Sequence, residues 1–159
     1  MTCIFAAHPD DADRLTYIAM TAKQHWGYSD SFMQACAQEL EVSTDKIKNE
    51  HFNYWTAKLA NTIVGFACIC WQSELSSDPT TCELEALFVL PESMGQSIGK
   101  NLYEHVLKQV KAEHYSTLLI QSDPYAQPFY EKMGADVLSM HPSESIPGRL
   151  LPLMSHIVT

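Results

Sequence analysis

A chain of 159 residues, 46% apolar and 18% charged, is long enough to bury a core and too apolar to stay disordered. Nineteen acidic side chains against ten basic ones leave a net charge of −9, which argues against a nucleic-acid partner and is compatible with attracting a cationic substrate. No apolar run reaches the roughly 18 residues of a membrane-spanning helix. The opening Met1-Thr2-Cys3-Ile4-Phe5 lacks the basic and apolar regions of a signal peptide. These features lead us to expect one cytoplasmic domain over residues 1–159, with no membrane partner. The five cysteines (Cys3, Cys36, Cys68, Cys70, Cys82) follow no framework spacing and are expected to be free thiols in a reducing compartment.

Thr2 to Ala7 reads as a first strand. His8-Pro9-Asp10-Asp11 resembles the opening of zinc-dependent deacetylases of the N-acetylglucosamine type. Ala12 stands where that motif has Glu, and the chain holds no His-x-x-His pair, so a zinc site lacks its other ligands. The run is instead expected to start a helix, with Pro9 in its first turn and Asp10 or Asp11 as cap. That helix spans Asp11 to His25, with Leu15, Ile18, Ala19 and Ala22 on one face, and stops at Gly27. The loop Lys23-Gln24-His25-Trp26-Gly27-Tyr28-Ser29 is dense in aromatic and hydrogen-bonding groups, as binding loops are. Packing is the alternative role for Trp26 and Tyr28.

Ser29 or Asp30 caps a second helix carrying Phe32, Met33, Cys36 and Leu40. Thr44 to Ile47 suggests one further helical turn. Phe52 to Ala57 and Thr62 to Gln72 read as strands joined by a tight hairpin at Ala60-Asn61. Leu84, Ala86 and Phe88 then alternate with Glu83, Glu85, Leu87 and Val89, the period of a strand from Thr81 to Val89. Pro91 ends it, because proline cannot donate to a ladder. Gly95 and Gly99 mark a short turn. Ile98, Leu102, Tyr103, Val106, Leu107 and Val110 follow with helical period. A strand, a glycine-bearing turn and a helix place free N–H groups and a partial positive charge where an anion could sit. Glycines used only for turning are the alternative.

The remaining elements are a strand from Ser116 to Ser122, a helix from Ala126 to Met133 closed by Gly134, a strand from Asp136 to Met140, and a closing strand toward Met154. Helices interrupting a mixed sheet indicate an α/β (α+β) domain.

The order of elements, the strand-Pro-Gly-helix block and the run Ser122-Asp123-Pro124-Tyr125-Ala126-Gln127-Pro128-Phe129-Tyr130-Glu131-Lys132-Met133-Gly134-Ala135 resemble the GCN5-related N-acetyltransferases, the GNAT superfamily. The likeness covers essentially the whole chain. The Lys23–Ser29 loop and Ile146-Pro147-Gly148-Arg149-x-Leu151-Pro152 resemble one bacterial branch of that family. The resemblance implies a mostly antiparallel mixed sheet splayed at its fourth strand, with helices on both faces. It also implies acetyl-CoA as acyl donor, no metal, direct transfer to a small-molecule or peptide amine, and a homodimer as one assembly.

The family's pyrophosphate loop, Gln/Arg-x-x-Gly-x-Gly/Ala, falls on Met94 to Gly99. Met94 and Ser97 depart from it and Gly99 matches. The resemblance assigns the donor to Leu87, Phe88, Val89, Gly95, Gln96, Ser97, Ile98, Gly99, Lys100, Tyr125 and Phe129; Tyr125 replaces an Asn that usually bonds the pantetheine arm. A bulge near Leu87 to Val89 would open the sheet for that arm. Tyr130 takes the position of the family's frequent general acid. Glu85 is the candidate base, with His25 second, and Glu83, His25, Trp26 and Tyr28 are candidate acceptor contacts. Cys82 is a weaker candidate nucleophile, with no adjacent His or Asp pattern. The departures at Met94, Ser97 and Tyr125 support an alternative, a catalytically weak acyl-CoA-binding or sensor protein on the same fold.

Overall fold

Seven strands form a single sheet in the order β1-β2-β3-β4-β5-β7-β6. The computed structural model describes residues 2–158; Met1 and Thr159, the ends of the expected domain, lie outside them. The elements are β1 (Cys3–Ala6), α1 (Ala12–Gln24), α2 (Asp30–Leu40), α3 (Thr44–Lys48), β2 (Phe52–Leu59), β3 (Thr62–Cys70), β4 (Thr81–Val89), α4 (Ile98–Ala112), β5 (Thr117–Gln121), α5 (Gln127–Lys132), β6 (Asp136–Pro142) and β7 (Leu150–Ile157). β1 to β4 pair antiparallel, β4 and β5 pair parallel, and β7 pairs antiparallel with both β5 and β6. α1 packs on β3 and β4 from one face, and α4 packs on β2 to β5 from the other. Among the described residues no helix is long and apolar enough to cross a membrane.

Local chemistry explains most element ends. Ala60 and Asn61 both take positive φ, 48° and 67°, as a two-residue hairpin demands. The Ser29 hydroxyl caps α2 by accepting the Phe32 N–H at 3.2 Å. The first helix departs from expectation. Pro9–Asp11 forms a 3-10 turn capped by His8, and Asp11 then stands at the N-cap of α1 without a side-chain capping bond. The Asp10 N–H donates to His8 Nδ1 at 3.1 Å, and the His8 N–H donates to Asp11 Oδ2 at 2.8 Å. The histidine of the deacetylase-like run is thus a helix-capping group.

β3 is buried from Ile63 to Ile69, as a strand covered on both faces must be. β4 breaks the simple alternation read from the sequence. Ala86 pairs with Cys68 but Leu84 pairs with Ile69, which leaves Glu85 as the extra residue of a bulge. Leu84, Leu87 and Val89 therefore share one face; Glu83, Ala86 and Phe88 share the other. The bulge falls at Glu85 rather than near Leu87 to Val89, because the register shift lies between Cys68 and Ile69.

Gly65 lets α4 and β4 approach β3. A Cβ there would meet the Phe88 carbonyl at 2.9 Å and Leu102 at 3.3 Å. Gly65→Ala should cost about 1–3 kcal/mol and lower the thermal midpoint by about 2–10 °C. An unchanged midpoint would show that β4 can shift without penalty.

Candidate functional site

The parallel ladder between β4 and β5 ends at the pair Leu84–Ile120. β5 then turns to β7 through Gln121, while β4 continues to Val89 with β3 as its only partner. The two strands diverge, and the edge of Glu85 to Val89 that faced β5 loses its ladder. A cleft of about 520 Å³ opens along it, lined by Leu87, Phe88, Val89, Glu83, Glu85 and Tyr130 among others.

Beyond Val89 the chain passes through a 3-10 turn at Pro91–Ser93 into α4. Gly95 and Ser97 take positive φ, 81° and 63°. Ser97 is the N-cap, but its side chain makes no capping bond. Among the described residues, no backbone N–H from Gly95 through Lys100 finds an acceptor. The first turn of α4 carries no acidic residue. Unbonded N–H groups at the positive end of a helix dipole have the character of an anion-binding nest. A Cβ on Gly99 would make ordinary van der Waals contact with the Phe129 ring, 3.5 Å away, which places α5 beside the start of α4.

Tyr130 is 6% exposed and lines the cleft. Its ring packs between Tyr103 at 5.8 Å and Phe129 at 5.2 Å. Tyr103 is itself held by its hydroxyl's 2.9 Å hydrogen bond with His156 Nδ1. Burial pushes the Tyr130 phenol above its ordinary value, with Tyr103 and Asp123 adding to the shift.

Glu83 and Glu85 lie together in the cleft. Glu85 is solvent-exposed and lines the cleft, with protein packed around it. Burial of its surroundings and then the Glu83 charge push its carboxyl up to about 7, against a lowering by Lys46. Burial also raises Glu83, which the Ser73 hydroxyl partly offsets by donating to it at 2.9 Å.

One side of the cleft is built on Asp123. Lys23 Nζ lies 3.1 Å from Asp123, the Tyr28 hydroxyl donates to it at 2.9 Å, and Arg149 stands 3.5 Å away. Arg149 also donates to the Tyr28 oxygen at 2.6 Å and packs over the Tyr28 and Phe32 rings. Burial alone would raise the Asp123 carboxyl; the Tyr125 N–H, Lys23 and Tyr28 together hold it below the usual range. Tyr125 is 55% exposed and stacks on Trp26 at 5.4 Å.

The expected site residues therefore divide into groups. Trp26, Glu83, Glu85, Leu87, Phe88, Val89 and Tyr130 line the cleft. Gly95 to Lys100 form the neighbouring nest, with Phe129 packed on it. Tyr28 braces the wall through Asp123. His25, which closes α1, and Tyr125 do not line the cleft. Asp123 and Arg149, which the sequence shows only as members of two family-like runs, carry no local mark of a site role. Burial pushes the Cys82 thiol up to about 12, with Cys70 adding, so it is held as an unreactive thiol. All five cysteines are free.

A family model for GNAT acetyltransferases matches residues 15–135. The chain belongs to the GNAT acetyltransferase family. No curated protein sequence matches it. It is similar to the PaiA N-acetyltransferase of Thermoplasma acidophilum, solved with coenzyme A, at 19% identity over 99% of each chain and a TM-score of 0.79. It is also similar to the Escherichia coli ribosomal-protein-S18-alanine N-acetyltransferase, at 17% identity, 100% and 95% coverage and a TM-score of 0.69. An aminoglycoside 6′-N-acetyltransferase complexed with coenzyme A aligns at 19% identity, 99% and 97% coverage and a TM-score of 0.71. At these identities the likeness is one of fold.

The Glu85 shift has a consequence for stability. A carboxyl raised by folding costs stability as pH climbs from its unfolded value, about 4.3, through its folded value of about 7. Solvent access screens part of that cost. Glu85→Gln should raise the thermal midpoint by about 2–4 °C at pH 8, on the order of 1 kcal/mol, and leave it unchanged at pH 4. Equal midpoints at both pH values would show that Glu85 is unstrained.

Proposed function

We propose that this protein is an acetyl-CoA-dependent N-acetyltransferase that passes the acetyl group directly to an amine. The observation that carries the reading is the gap where β4 leaves β5 beside the N–H nest of α4. An extended chain with an anionic group at one end fits such a place. Its body can pair with the free edge of β4 as an added strand, and its phosphates can take the unbonded N–H groups from Gly95 to Lys100. Ser97 fits this role despite its side chain. It already holds the left-handed backbone that glycine would supply at its position, and its uncommitted hydroxyl is a further donor.

Acetyl-CoA supplies an acyl group activated as a thioester. The chain's own groups do the rest. A backbone N–H on the free edge near Leu87 to Val89 polarises the carbonyl oxygen. Glu85 receives the proton the amine loses, directly or through water. Tyr130 gives its proton to the departing sulfur. Its raised phenol stays protonated at neutral pH, as a donor must, although it is a weaker acid than an exposed tyrosine. Glu85 is preferred to His25 as base because Glu85 lines the cleft and His25 is not among its lining residues.

Tyr130→Phe should lower kcat by about 10- to 1000-fold while acetyl-CoA affinity by calorimetry changes little. Unchanged turnover removes Tyr130 from the chemistry. Binding of acetyl-CoA without thiol release across a panel of amines would favour the acyl-CoA sensor instead. Gly99→Asp should weaken coenzyme A binding by about tenfold or more, because it sets a negative charge at the nest. Undiminished binding would place the phosphates elsewhere.

A further inference from the structure

Tyr130 is placed by packing. Its hydroxyl has no hydrogen-bond partner among the described residues, so the rings around it decide where the phenol points. Those rings are Tyr103 at 5.8 Å and Phe129 at 5.2 Å. Phe129 and Tyr130 both sit on α5, a helix of only six residues, too short to be stable by itself. Phe129 has a second support where it meets Gly99. Tyr103 touches both rings, standing edge-on to Phe129 at 6.2 Å.

Tyr103 is in turn fixed from β7. Its side chain is 0% exposed, and among the described residues its hydroxyl has one hydrogen-bond partner, His156 Nδ1 at 2.9 Å. Burial raises the Tyr103 phenol and keeps it protonated, so the O–H donates and Nδ1 accepts. That arrangement needs a neutral imidazole with its proton on Nε2. Burial favours the neutral ring, against the Asp136 charge.

His156 stands opposite Leu118 of β5, on a strand paired along both edges. It also borders the end of α5. Gly134 closes that helix at a φ of 109°, and a Cβ there would lie 3.1 Å from His156 Cε1. The next residue, Ala135, donates its N–H to the Tyr130 carbonyl at 3.0 Å. One imidazole therefore abuts both the ring beneath the acid and the turn that ends its helix. His156 is not among the cleft-lining residues, and no step of the transfer uses it.

We propose that His156 is a positioning residue for the transfer, which holds the Tyr103 ring through its hydroxyl and so aims the Tyr130 phenol into the cleft. The proposal rests on the transferase reading and adds a residue that acts only through others.

The test uses the full chain and compares His156→Leu, His156→Asn, Tyr103→Phe and the double variant Tyr103→Phe, His156→Leu. Turnover is followed by thiol release from acetyl-CoA with n-butylamine, spermidine or a lysine-containing peptide, well below every thermal midpoint. His156→Leu should lower kcat by about tenfold or more, the scale of a misplaced catalytic group, and leave acetyl-CoA affinity by calorimetry nearly unchanged. His156→Asn should recover most of that loss, because its amide oxygen can accept where Nδ1 does. Tyr103→Phe should resemble His156→Leu, and the double variant should be no worse than either, since both remove one hydrogen bond. Amide hydrogen exchange in α5 should quicken in His156→Leu and not in His156→Asn.

Unchanged kcat in His156→Leu overturns the proposal and leaves the transferase standing. Equal losses in His156→Asn and His156→Leu, or an equal loss of acetyl-CoA affinity, would make His156 a general packing residue and overturn it too. No thiol release by the unsubstituted chain with any of the three amines overturns the transferase reading. Unchanged exchange in α5 then overturns the brace on its own account.

Discussion

The parallel pairing of β4 with β5 stops at Leu84, and the rest of the site depends on that interruption. Up to Leu84 the strand is locked on both edges. Beyond it, β3 alone holds the strand, through the buried contacts of Gly65, Phe66 and Ala67. A free strand edge is a liability in most proteins. Here it is recessed in a cleft, where only a slender ligand can reach it. The bulge at Glu85 lies at the point of divergence. It adds twist and leaves a carboxylate at the mouth of the gap beside Glu83.

Two electrostatic arrangements flank this gap, and they have opposite character. Asp123 gathers Lys23, Tyr28 and Arg149 into a largely buried, fully partnered network. Removing one partner of such a network is costly, on the order of 3–5 kcal/mol, because a buried charge is left bare. That network joins the α1–α2, β5–α5 and β6–β7 loops into one wall. In the same cleft, burial first and neighbouring carboxylates second raise the Glu83 and Glu85 carboxyls.

The start of α4 shows how a departure from a family pattern can leave a function in place. Ser97 stands where a glycine is expected, and its φ of 63° carries a cost of about 1–2 kcal/mol that glycine would not. The left-handed backbone is nevertheless kept, and the N–H groups from Gly95 to Lys100 stay without acceptors among the described residues. Tyr125 is a different case. It has become part of an exposed aromatic stack with Trp26, and its backbone N–H, which donates to Asp123 at 2.9 Å, serves the network in place of its side chain.

By itself the sequence determined the element order, the hairpin at Ala60-Asn61, the Ser29 cap and the glycine-bearing turn before α4. These follow from backbone rules that act within a few residues: period, capping, proline and positive φ. It also marked Glu83, Glu85 and Trp26, which do meet in the cleft. Only the tertiary structure decided the bulge at Glu85, because register is set by the facing strand. The same holds for the Asp123 network, whose partners lie 100, 95 and 26 residues away in the chain, and for the glutamates that separate elements bring to one cavity. No local pattern encodes such meetings. They exist because folding brings distant side chains within reach of each other's charge, and there burial makes that charge felt.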